Sequence, residues 1–203
     1  MNRISELTWS IKDETTVTVS LNLDGTGLSN VKSAHKTLNH LIETFARYGR
    51  FDIQLSVESD GIEHHLFEHA GITLGLAIES ALGAKMDLVN FSKATIPMDE
   101  AVAEVVVDLN HVSGGFVWAP DLRTLNPSIH HDGTELFCYL HFLEKLAVSA
   151  KINMHVLNLY AKDIHHAIEV LYKAVATAIY DASRIDSNPI KRLGRSISNS
   201  KHN

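Results

Sequence analysis

HHLFEHAGITLGLAIESALG, residues 64–83, and HHAIEVLYKAVATAIYDASR, residues 165–184, are two versions of one pattern. Each opens with paired histidines and a glutamate at the fifth position, then continues with apolar residues at helical spacing. His64 and His165, Glu68 and Glu169, Ala77 and Ala178, and Ala81 and Ala182 all stand 101 positions apart. A lone histidine precedes each pair by 24 positions, His40 in the first case and His141 in the second. A duplicated core keeps apolar residues in register for packing reasons alone. Histidines and glutamates have no such reason, so what repeats is a chemical site.

Outward from these stretches the chain reads as two rounds of strand, helix, strand and helix. TTVTVSLNL (15–23) alternates apolar and polar residues as a strand does, and Asp24-Gly25-Thr26-Gly27 ends it with turn chemistry. Residues 33–48 have helical spacing, Phe51 to Val57 alternates again, and 64–82 is a long helix. Gly75 weakens that helix by propensity, so close packing against another element is its expected use. The second round places a strand at 101–109, its hairpin partner at 112–118, a loop at 120–133, a helix at 134–150, a strand at 152–158 and a helix at 163–183. The expected fold is α+β, with residues 1–83 as one half, 84–185 as the other, and 186–203 as a basic tail on a single fused unit.

On a helix, residues i and i+4 share a face, whereas i and i+1 point about 100° apart. His64 with Glu68, and His165 with Glu169, are therefore two-ligand half-sites, and His65 and His166 look elsewhere. The simplest closure joins the halves: His64, Glu68, His165 and Glu169 around one ion, and His40, His65, His141 and His166 around a second. Closure within one subunit and between subunits of a symmetric assembly are both open. Imidazole with carboxylate suits Mn, Fe, Co, Ni or Zn, and four protein ligands on a six-coordinate ion leave room for water or substrate. Of the 13 histidines, His35, His69, His111, His130, His131, His155 and His202 lack a repeat partner. They read as surface or supporting residues, His69 being placed to orient a ligand.

Composition narrows the function classes. A formal net charge of −6 argues against a nucleic-acid or membrane surface. No apolar run reaches the roughly 20 residues of a bilayer span. Cys138 is the one cysteine, which excludes an internal disulfide, and a cytoplasmic location is expected.

The segments RIS, ET, LNLDGTG, LNH, HHLFE, GITLGLAIESALG, FSKATIPMDEA, TEL and HHAIEVLYKA, in that order, resemble imidazoleglycerol-phosphate dehydratases over nearly the whole chain. The resemblance implies a duplicated α+β fold of the ribosomal protein S5 domain 2-like kind, and a homo-oligomer of 24 subunits. It also implies two Mn(II) ions per site at subunit interfaces, held by the eight ligands named above in the same two sets. The implied reaction is dehydration of imidazole glycerol phosphate, a small imidazole phosphate, to imidazole acetol phosphate in histidine biosynthesis. Glu14 is then the catalytic acid/base and substrate contact. Lys173, Ser198 and Lys201 are phosphate-side contacts.

Several positions depart from the family pattern. Asn90-Phe91-Ser92 stands where the family has Arg-Phe-Gly, and Asp108-Leu109-Asn110-His111-Val112 replaces a stretch carrying a second arginine. Tyr48 replaces a histidine, and TEL lies two residues further from His141. Both arginines are phosphate contacts in the family. The alternatives are a dimetal paralogue with another substrate, or a non-catalytic shell stapled by metal.

Overall fold

The computed structural model describes residues 3–109, 115–118 and 130–189. One order of elements occurs twice. The first round is β1 (Ile4–Ile11), β2 (Thr15–Asn22), β3 (Ser29–Lys32), α1 (Lys36–Gly49), β4 (Asp52–Ser59) and α2 (Glu63–Leu82). The second begins with β5 (Phe91–Met98), β6 (Ala101–Asp108) and β7 (Phe116–Trp118). A small hairpin follows, β8 (His130–His131) with β9 (Thr134–Glu135), and then α3 (Leu136–Ser149), β10 (Asn153–Tyr160) and α4 (Ile164–Ser183). The architecture is α+β, as the sequence led one to expect. No helix among the described residues is long and apolar enough to cross a membrane.

The two sheets are wired alike. Their orders are β1-β2-β4-β3 and β5-β6-β10-β7, with the first three strands of each antiparallel and the last pairing parallel to its neighbour. Period-two alternation sets which face is buried. Val17, Val19 and Leu21 of β2, like Ala103, Val105 and Val107 of β6, point into the core. The side chains between them, such as Thr18 and Glu104, face outward.

Two expectations about the second half need correction. The stretch ending at 118 is not the hairpin partner of β6. That partner is β5, while Phe116–Trp118 lies parallel to β10 on its far side. Also, the helix expected from 134 starts at Leu136, because Thr134 and Glu135 pair with His131 and His130. The 101-residue spacing holds for β4 and β10 and for α2 and α4, but β2 and β6 start at 15 and 101. The extra length of the second half therefore lies between β7 and α3, where the β8–β9 hairpin sits.

Helix packing crosses between the halves: α2 lies along α3, and α1 along α4. The α2–α3 approach is close because α2 offers no Cβ at the crossing. A Cβ on Gly71 would stand 2.5 Å from the Phe142 carbonyl oxygen, and one on Gly75 2.4 Å from that of Leu146. Close packing was the expected use of Gly75, and here it is the packing of one half on the other.

Candidate metal centre

The crossed packing decides which side chains meet. On α2, His64 Nε2 lies 3.1 Å from Glu68 Oε2, and His141 on α3 brings its Nε2 to 3.8 Å from Glu68 Oε1. On α4, His165 Nε2 lies 3.2 Å from Glu169 Oε2, and His40 on α1 places its Nε2 3.3 Å from the same oxygen. In each trio the candidate donor atoms all fall within 4.8 Å of one another. This overturns the grouping expected from the sequence within one chain. Glu68 and Glu169 belong to different clusters, and the lone histidine of each half joins the HHxxE helix of the other half. The cause is that α2 faces α3 rather than α4.

The rings are held in order. His64 and His141 stack with centroids 4.9 Å apart, and Phe137 lies against both. His40 and His165 are nearly parallel at 6.0 Å. Both ring nitrogens of His141 are buried and make no hydrogen bond among the described residues. Burial, reinforced by the nearby Lys145 ammonium, pushes its pKa down. A neutral, unsatisfied imidazole facing a carboxylate is costly unless a cation completes it. The donor set thus fits a divalent transition metal.

Each carboxylate also meets a lysine. Lys145 Nζ lies 2.5 Å from Glu68 Oε1, and Lys173 Nζ lies 2.8 Å from Glu169 Oε1. Burial acts to raise both glutamate pKa values, but hydrogen bonding and charge from the lysines outweigh it and hold them below the ordinary range. Lys173 is almost buried, with Met98 and the Tyr48 ring around its ammonium. Tyr48, one of the departures from the family pattern, is thus part of the surroundings of this cluster.

His65 and His166 lie outside both trios. Each has its Nδ1 tied to a carboxylate, Asp60 at 2.9 Å for His65 and Glu100 at 2.8 Å for His166. These bonds raise both histidine pKa values despite some desolvation. The Glu100 carboxyl is pulled down to about 2, first by His166 and then by the Asp163 backbone N–H. A carboxylate on Nδ1 fixes the tautomer in which Nε2 is free to ligate. Asp163 caps α4 by accepting from the backbone N–H groups of His165 and His166, which fixes the backbone at the helix start.

Glu14, in the turn between β1 and β2, reaches His69 Nε2 at 3.3 Å and His65 Nδ1 at 3.6 Å. It therefore borders His65, the first-half histidine that lies outside both trios. Asn90, where the family has an arginine, is buried at positive φ, and its amide donates to the Leu88 carbonyl. Ser198, Lys201, His111 and His202 lie outside the described residues. Sequence reasoning missed Asp60, Glu100 and Lys145. Asp60 stands five residues before His65, a spacing that turn chemistry could have flagged. Glu100 and Lys145 come from distant segments and left no local signal.

The fold and this site define a class: a duplicated α+β protein whose crossed helices assemble two histidine–carboxylate clusters of metal-binding type. Residues 33–179 match the family model described as imidazoleglycerol-phosphate dehydratase. The chain is 39% identical over 173 residues to the imidazoleglycerol-phosphate dehydratase of Dehalococcoides mccartyi, covering 85% of each. It is 37% identical over 191 residues to that of Methanosarcina mazei, covering 93% of this chain and 96% of the other. The crystal structure of the Pyrococcus furiosus dehydratase superposes with a TM-score of 0.74 at 25% identity, covering 89% of this chain and 95% of that one. The chain belongs to the imidazoleglycerol-phosphate dehydratase family, a family of metal-dependent hydro-lyases.

Proposed function

We propose that this protein removes water from imidazole glycerol phosphate to give imidazole acetol phosphate, using two Mn(II) ions per active site. The observation that carries the reading is the pair of crossed clusters, each with two histidines and one glutamate. Among the described residues, each trio lacks a fourth protein ligand. His65 and His166, tied at Nδ1 and unused within the chain, supply it to the clusters of neighbouring copies, so the working unit is a homo-oligomer. A 24-subunit shell is the assembly proposed.

The metals when bound would hold the substrate ring and lower the cost of losing a proton from the carbon beside it. Glu14 is placed to move that proton, since its carboxylate sits beside His65 at the edge of the cluster that His65 would complete. Lys173 stays buried against Glu169 and supplies positive charge on the phosphate side, as Lys201 does from the tail, where Ser198 offers a hydroxyl donor. With Asn90 turned into the core, the phosphate contact that the family's arginine makes must come from another residue.

The test is turnover by the purified, manganese-loaded protein, monitored by formation of imidazole acetol phosphate. Absence of product with verified metal occupancy overturns the proposal. Binding of the dephosphorylated alcohol as tight as that of the phosphate ester would instead favour a dimetal paralogue acting on another imidazole, the reading that Asn90 supports.

Metal uptake should depend on pH in a definite direction. His65 and His166 are raised above their ordinary 6.5, so in the metal-free protein they hold protons that an incoming ion must displace. In the metal-free state the stability contributed by the charged His166–Glu100 contact is full between roughly pH 4.5 and 6.5. It is lost as pH falls toward the depressed Glu100 value, and as pH rises through the raised His166 value. Manganese affinity measured by calorimetry should therefore climb through and above pH 6.5, then level off. An affinity flat from pH 6 to 8 would contradict this.

A further inference from the structure

The β8–β9 hairpin touches three helices besides the one it leads into. His35, the N-cap of α1, accepts at Nδ1 from the Leu38 backbone N–H and donates from Nε2 to Thr134 Oγ1 at 2.7 Å. The Thr134 hydroxyl in turn donates to Glu63 at the start of α2, at 3.0 Å. The Thr37 hydroxyl on α1 donates to Asp132 at 2.7 Å. Tyr139 on α3 donates to the His131 carbonyl at 3.1 Å, and His131 Nε2 meets His165 Nδ1 on α4 at 3.1 Å. Six residues of a hairpin tie together the N-terminal ends of four helices.

From this arrangement we infer that His131 is a positioning residue for the His40–His165–Glu169 cluster. It accepts the Nδ1 proton of His165, so that His165 Nε2 carries the lone pair that faces Glu169 and a bound cation. The inference rests on the metal-centre reading above.

The geometry constrains the proton. His165 Nε2 is the atom 3.2 Å from Glu169, and Nδ1 is the atom beside His131. An imidazole that ligates through Nε2 must hold its proton on Nδ1. His131 Nε2 is the acceptor available to that proton, and a ring side chain in a short hairpin keeps it in place. Asp132, 3.4 Å from the same His131 nitrogen, cannot be its hydrogen-bond partner in this tautomer, and its carboxylate is occupied by Thr37. His65 and His166 have their Nδ1 atoms on carboxylates, whereas His165 has its Nδ1 on another imidazole nitrogen. Among the described residues no corresponding hairpin precedes α1, so the support they show belongs to one cluster.

The test is a Co(II) absorption titration, with a competing chelator, of the full-length protein, His131→Phe and His131→Gln. Each is measured alone and combined with Glu68→Ala, which isolates the cluster in question. His131→Phe should weaken binding at that cluster by about 10- to 100-fold, the range seen when a ligand's hydrogen-bond partner is removed. His131→Gln, whose amide oxygen can accept the same proton, should recover most of the loss. Equal affinity of His131→Phe and the parent protein overturns the inference, and so does a loss that glutamine fails to rescue. A parent protein that binds no cobalt at all instead sinks the metal-centre reading on which the inference stands. Should the phenylalanine variant fail to fold by circular dichroism, the comparison of parent with His131→Gln and His131→Leu decides by the same criterion.

Discussion

Glu68→Ala should empty the His64–Glu68–His141 cluster of its cation and cut turnover by about a thousandfold or more, with little change in the stability of the metal-free protein. The rate loss follows from the size of a Lewis-acid contribution, several kcal/mol, at about 1.4 kcal/mol for each factor of ten. Stability is spared because the partner left behind, Lys145, keeps about a third of its side chain exposed and can turn to water. Glu169→Ala should behave differently in one respect. Its partner Lys173 is only 9% exposed, so the variant leaves an unpaired, nearly buried ammonium and should lose about 3 kcal/mol of folding stability besides its metal. Metal content by atomic absorption, steady-state rates and chemical denaturation of the two variants side by side check this. Wild-type metal content and turnover in Glu68→Ala would refute the assignment of the cluster.

The second large effect is expected from Gly75→Val, which should cost on the order of 3 kcal/mol or prevent folding. Its new Cβ would collide with the Leu146 carbonyl, and a backbone atom cannot step aside as a side-chain tip can. Valine improves helix propensity relative to glycine by only a few tenths of a kcal/mol, so the collision wins. The milder Gly71→Ala reports on function as well as stability. Its Cβ would press on Phe142, the residue after His141, and Gly71 stands three positions after Glu68. Pushing α2 off α3 there moves His141 away from Glu68, so metal affinity should fall along with the thermal midpoint. A Gly71→Ala protein of lower stability with unchanged metal affinity would show that the cluster tolerates the displacement.

Much of this was legible from one sequence because it was written twice. The helices carrying HHxxE, the lone histidines before them and the strands β2, β4 and β6 all follow from periodicity and from the repeat. Edge strands were not legible. Ile4–Ile11 has one buried side chain in eight, and Phe91–Met98 contains Pro97, so neither shows the apolar alternation of an inner strand. Phe116–Trp118 departs from the expected hairpin because chain neighbours usually pair, whereas this strand reaches past β6 to run parallel with β10. The candidate donor residues were readable, but their partition between the two clusters was not. Gly71 and Gly75 announce that α2 has a close neighbour without saying which helix it is. The supporting groups are invisible for a similar reason: Glu100, Lys145 and His131 reach the clusters through the folded path and not through local spacing.

The exchange of helix partners has a consequence for how such a protein arises. Neither half owns a complete set of donors, because each glutamate finds its third donor on a helix from the opposite half. An ancestral chain of half this length reaches the same chemistry only by pairing with its twin, in a dimer with two identical centres. Joining the twins end to end frees those centres from identity. One now carries a lysine at position 145 where its counterpart has Thr44, and the other leans on a hairpin its counterpart lacks. A fusion of this kind leaves two sites free to specialise where twins would hold them identical.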